Sequence, residues 1–184
     1  GGGGGGDAGG EMARSVGTVG EPIPRPTGQF RDISGGKVFQ ASVPADWTSH
    51  ASKSSIKVVP QNGFGDLKGQ SAFVCGVEFG LLKAETRDLQ QATNSWLQAV
   101  GQANPQLKVA GEQQATKISQ RSAIITPLVN PSVLGGKEFV TVYTTFLSDG
   151  TLFYYLTVVG ENDAQAFQDV FKRIAESIKL TEVR

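Results

Sequence analysis

One cysteine and one histidine in 184 residues remove whole classes of function at the outset. A single thiol cannot build an internal disulfide framework, and a single imidazole rules out, within this chain, any site that needs two, the HExxH zinc motif included. Charge of one sign is also missing, since 17 Lys and Arg balance 17 Asp and Glu. Without a basic excess the chain lacks the counterion release that drives nucleic-acid affinity, so nucleic acid is not an expected partner. No apolar run approaches the roughly 20 residues that cross a bilayer as a helix. No charged start followed by an apolar stretch marks a secretory signal. Charged residues are only 18% of the chain but hydrophobic ones are 39%, which excludes high-charge disorder for the whole.

Glycine is abundant only at the start, where the first 28 residues hold 11 of the 24. Residues 1–10 have the composition of a flexible coil, and Pro22, Pro24 and Pro26 alternate in a way that favours extended polyproline II. Residues 1–27 therefore read as a Gly/Pro-rich linker and residues 28–184 as one domain. The expectation is a piece of a longer protein that begins within an interdomain tether. An anion nest in the glycines is the weaker reading, because neither a strand before them nor a helix after them supports a phosphate loop.

Within the domain, residues 37–43 alternate apolar and small or polar side chains, the period of a half-buried strand, with Phe39, Ala41 and Val43 on one face and Pro44 ending the run. Residues 55–59 read as a second strand, residues 61–66 as a turn-rich loop, and residues 72–79 as a third strand that buries Phe73, Cys75, Val77 and Phe79. Leu89, Ala92, Trp96, Val100 and Ala103 then step by three or four, the stripe of an amphipathic helix capped by Thr86 or Asp88 and ended by Gly101, Asn104 and Pro105. Shorter strands are expected at 107–109, 115–119 and 122–129.

The strongest local signal is a pair of β-branched and aromatic runs, residues 139–148 and 151–159, separated by Asp149-Gly150. A two-residue turn predicts that Phe146 faces Phe153, Thr144 faces Tyr155 and Val142 faces Thr157. Both faces of this hairpin are apolar, which predicts cover on both. Asn162 and Gln165 form a capping box before Phe167, Val170, Phe171, Ile174 and Ile178, a second helix expected to lie along the sheet.

Motifs that could carry chemistry fail on context. The Gly63–Gly69 glycines precede a strand, whereas a dinucleotide loop needs a helix N-terminus there. Gly135-Gly136-Lys137 is followed by Glu138 where a phosphate loop has Ser or Thr. His50 reads as a solvated loop residue without a nucleophile elbow to serve, and Cys75 as a core thiol. No catalytic, cofactor or metal residue is expected. Trp47 and Phe64 are the candidate partner contacts, the first with a strong alternative as a lid on the core edge, the second as an aromatic at a loop tip.

Residues 39–47 and 152–180 resemble the two ends of the PsbP-like fold, shared by photosystem accessory proteins, a yeast Ran-binding protein and many bacterial envelope proteins. The resemblance implies an α+β fold in which an antiparallel sheet is covered by helices on both faces, an α/β/α sandwich. Residues 140–145 and 149–154, after a Pro-rich linker, are similar to the C-terminal accessory domain of HtpX/BepA-related zinc metallopeptidases of Acidobacteria-like bacteria. That likeness implies a periplasmic or other cell-envelope setting, with an upstream domain of the same polypeptide or an envelope protein as partner. The role it implies is a non-catalytic accessory or interaction domain. The alternative is a small-ligand or lipid-binding protein with a cleft between sheet and helix.

Overall fold

A computed structural model describes residues 17–181. The elements run β1 (Phe30–Gly35), β2 (Phe39–Pro44), β3 (Thr48–Ala51), β4 (Ser55–Val59), β5 (Phe64–Leu67), β6 (Gln70–Phe73), β7 (Gly76–Leu82), α1 (Leu89–Ala103), β8 (Lys108–Val109), β9 (Gln114–Ile118), β10 (Arg121–Pro131), β11 (Lys137–Phe146), β12 (Leu152–Gly160), α2 (Ala164–Ser177) and β13 (Lys179–Leu180). The main sheet has eight strands in the order β3-β4-β7-β12-β11-β10-β8, with β9 also paired to β10, and every pairing is antiparallel. β12 lies in its middle and is buried along nearly its whole length, as its apolar alternation on both faces demands. A second sheet, β1-β2-β13, and a small hairpin, β5-β6, complete the fold.

Successive side chains of β12 point to opposite faces, so neighbouring tyrosines serve different layers. Tyr155 is fully buried and its hydroxyl donates to the Phe171 carbonyl of α2 at 2.9 Å. On the same side Phe39 of β2 stacks on Phe79 at 4.9 Å and meets Phe153 at 5.3 Å, so the small sheet and α2 close one core together. Tyr154 points the other way and meets Trp96 of α1 at 4.6 Å. The absence of a side chain at Gly80 makes room for that ring, since a Cβ there would lie 2.3 Å from it.

Several expectations are corrected. The β11–β12 register is displaced by one residue: Phe146 pairs with Leu152, Thr144 with Tyr154 and Tyr143 with Tyr155. The connection is a three-residue loop, Ser148-Asp149-Gly150, closed by Leu147 N–H to Thr151 C=O at 2.8 Å with Gly150 at φ +88°, rather than a two-residue turn. The strand expected over 72–79 is two strands, since the run stops after Phe73 and resumes at Gly76, which has φ +140°. The loop over 61–66 is in part β5, turned into β6 by Lys68-Gly69 with positive φ at both positions. β1 and β3, too short or too polar to stand out, were not expected.

The segment read as a linker is described from Gly17 onward; residues 1–16 lie outside the described residues. Val19 is only 4% exposed and packs with Ala72 and Val74, Ile23 rests against the same cluster, and Arg25 pairs with Asp163 at 3.0 Å. From Gly17 the chain is thus docked on the domain rather than standing free of it.

Candidate functional site

The two rings proposed as partner contacts sit differently. Trp47 is 2% exposed and lies 6.2 Å from Phe167 and 6.4 Å from Phe171, so it is a core residue and offers a partner nothing, which corrects its assignment as a contact. Phe64 opens β5 and is half-buried, its ring edge-on to His50 at 5.1 Å and to Phe73 at 6.3 Å. It is a packed strand residue, not an aromatic at a loop tip, and only part of its surface is available.

His50 is in β3, opposite Lys57 of β4, not in a solvated loop. Burial and the neighbouring Lys57 charge hold its imidazole below the ordinary histidine range, and its Nε2 has no hydrogen-bond partner among the described residues. Among the described residues no serine hydroxyl is hydrogen-bonded to that nitrogen. Cys75 is fully buried, and burial pushes its thiol far up, away from the reactive thiolate. Among the described residues no three His, Cys, Asp or Glu side chains gather in a way that could hold a metal ion.

The sheet face under α1 has more to offer. Small buried residues, Ala92 and Thr93, let the first half of the helix come close, and the Thr93 and Thr144 hydroxyls bond at 2.7 Å. In the next turn the bulkier Trp96 stands on the Tyr154 ring. Beyond it Leu97 and Val100 stay half-buried and Ala103 is exposed, although the periodicity predicts a fully buried stripe. The difference is a groove of about 390 Å³ between helix and sheet. Its floor is Leu128, Val140, Val142, Leu156 and Val158, and Trp96, Leu97 and Val100 form its wall.

The ends of the groove are polar in unlike ways. At one, Lys57 Nζ is 3.2 Å from Glu78 Oε1, and the Tyr154 hydroxyl donates to Glu78 Oε2. The Lys57 ammonium lies over the Phe64 and Phe73 rings at 5.6 and 5.7 Å, so its charge is already shared. Burial, with the bond to Glu78, holds the Tyr154 hydroxyl well above the ordinary phenol range, which makes it a donor and not a base. At the other end Glu138 is half-buried, accepts one bond from Asn130 Nδ2 at 3.2 Å, and takes part in no salt bridge among the described residues. Burial raises its carboxyl pKa, the bond from Asn130 opposing only in part.

A larger depression, about 540 Å³, lies beside α2 over Tyr143 and Thr157. Its rim is Gln165, Gln168 and Lys172, exposed long side chains, and no half-buried carboxylate faces it. The groove under α1 is the better-formed site. Its one legible sign is Glu138, a carboxylate in phase with Val140 and Val142 on an otherwise apolar strand face.

No protein-family model and no curated protein matches the chain. Solved structures do. CyanoP, the cyanobacterial PsbP of Synechocystis sp. PCC 6803, superimposes with a TM-score of 0.62 at 9% identity, over 82% of this chain and 92% of that one. The Ran-binding protein Mog1p of Saccharomyces cerevisiae gives 0.57 at 11% identity, over 84% and 96%. LpqN of Mycobacterium tuberculosis, described as involved in cell envelope biogenesis, gives 0.53 at 16% identity, over 84% and 91%. The chain therefore has a PsbP-like fold, mostly antiparallel sheet with two helices among the described residues.

Proposed function

We propose that this chain is a non-catalytic binding domain whose ligand or partner docks in the groove between α1 and the main sheet. The observation that carries this is the groove itself: its volume falls within the range of small-ligand sites, its walls are apolar, and its few polar groups are confined to the ends. Two proteins of the same fold are described by what they bind or help to build, Ran for Mog1p and the cell envelope for LpqN, which supports a binding or accessory role. LpqN also supports an envelope setting, as the resemblance implies. Attachment to a zinc metallopeptidase draws no support from these structures and is not needed for the reading. The helix–sheet–helix layering belongs to it, since the groove requires α1 to lie over the face opposite α2; the contacts of Trp96 with Tyr154 and of Phe171 with Tyr155 support it.

The chain has two tryptophans, one in the core and one in the groove wall, so Trp47→Phe leaves Trp96 as a reporter. Titrated with 1-octanol, this variant should show a saturable change in emission, and adding Val140→Phe, which fills the floor, should abolish it. An emission that does not respond, or responds equally in both proteins, overturns the groove as the binding site.

A further inference from the structure

Resting on that reading, we infer that the groove selects a small amphiphile with one cationic head, its ammonium held at the Glu138 end and its apolar chain laid over Val140, Val142 and Leu156. The carboxylate of Glu138 decides the head group. Asn130 donates one amide N–H to Glu138, and Asn104 donates one to the Val100 carbonyl at 3.0 Å. Each amide keeps a second N–H as well as its carbonyl oxygen, and Glu138 keeps a second carboxyl oxygen and has no salt bridge among the described residues. All three residues line the groove. A half-buried carboxylate with no salt bridge among the described residues is matched by a head group that brings positive charge and N–H donors, and an ammonium has three N–H groups.

The opposite end cannot compete for that head. Glu78 is already occupied by Lys57 and by the Tyr154 hydroxyl, so a second cation there would meet the Lys57 charge. Lys137, the nearest basic residue in sequence, is exposed and follows the alternate phase of β11, leaving Glu138 without a salt bridge among the described residues. An anionic amphiphile such as a fatty acid would place its carboxylate against Glu138 or drive it to the solvent.

The test uses the Trp47→Phe protein and three probes of equal chain length, octylammonium, 1-octanol and octanoate, at neutral pH and low salt. Octylammonium should bind about tenfold more tightly than octanol, the scale of one charge-assisted bond, and octanoate more weakly than either. Glu138→Gln, close in shape, should bring octylammonium down to the affinity of octanol and leave octanol unchanged. The ranking in the unsubstituted groove needs no variant and is read first. If all three bind alike, or octanoate binds best, the cationic selectivity is wrong while the groove stands. If none binds, the groove reading fails and this one falls with it. A preference that survives Glu138→Gln also overturns the assignment.

Discussion

Asn62 grips the backbone of Pro22: its amide nitrogen donates to the Pro22 carbonyl at 2.6 Å while its amide oxygen accepts from the Thr18 N–H at 2.7 Å. One side chain, 8% exposed, thus fastens the Pro-rich segment at two points across 40 residues or more of sequence. Asn62 has φ +71°, a conformation that asparagine tolerates better than most residues. Asn62→Gly keeps the backbone relaxed and removes both bonds, at an expected cost of about 1 to 3 kcal/mol in a urea titration. Deleting residues 1–22 should then cost less in the Asn62→Gly protein than in the parent, because the docking is already weakened. Equal losses in the two backgrounds would show that the segment is held by other contacts.

The core on the α2 side sets a second expectation. Phe171 is 8% exposed, touches Trp47 and Phe167, and its carbonyl receives the Tyr155 hydroxyl. Phe171→Ala should cost about 3 to 5 kcal/mol, the range for emptying a buried phenylalanine site. Tyr155→Phe removes only the bond and should cost about 1 kcal/mol. Denaturant midpoints give both, and a Phe171→Ala loss under about 1 kcal/mol would contradict its burial.

The Thr93–Thr144 pair ties α1 to β11 with both residues fully buried. Thr144→Val alone strands the Thr93 hydroxyl and should cost about 1 to 3 kcal/mol, whereas the double Thr93→Val and Thr144→Val exchange should cost less than the sum of the singles. Additive losses in this cycle would mean that the two hydroxyls do not depend on each other.

Glu138 predicts a pH dependence of stability. Burial raises its carboxyl above the unfolded value, so the folded chain holds more proton across the interval between the two, and stability falls as pH rises through it. Glu138→Gln should therefore raise the melting temperature at neutral pH, and the gain should vanish below about pH 4, where the carboxyl is protonated in both states. A melting temperature lowered at neutral pH would show that the carboxylate is stabilising where it sits.

The helices were legible because their periods are long. Phe167, Val170 and Ile174 repeat across about two turns and are buried as their spacing requires. Phe39, Ala41 and Val43 likewise show a buried face in six residues. The hairpin register was not legible, because Asp-Gly serves both a two-residue turn and a three-residue loop, and the closing bond between Leu147 and Thr151 decides between them. β5 and β6 were hidden for the same reason at smaller scale, since Lys68 adopts a positive φ that its side chain does not advertise. Trp47 stood both as a lid on the core edge and as a contact, and the sequence cannot say that α2 returns to cover it with Phe167. A cleft between sheet and helix stood only as the alternative, and its residues were not legible, for a stripe that is apolar looks the same whether a helix lies flat or stands off the sheet.

Mechanical load gives the two-residue β13 a meaning that equilibrium stability does not. It is joined to β2 through the Lys179–Gln40 and Leu180–Phe39 pairs, helped by Thr181 N–H to Val38 C=O at 2.6 Å and Leu180 N–H to Ser119 Oγ at 3.1 Å. Tension arriving beyond Thr181 meets these few bonds first and only then Ile178 and the rings of α2, which are locked in the core. The last strand would yield at low force and lengthen the chain by a few residues, while the eight-stranded sheet and the groove upon it stayed whole.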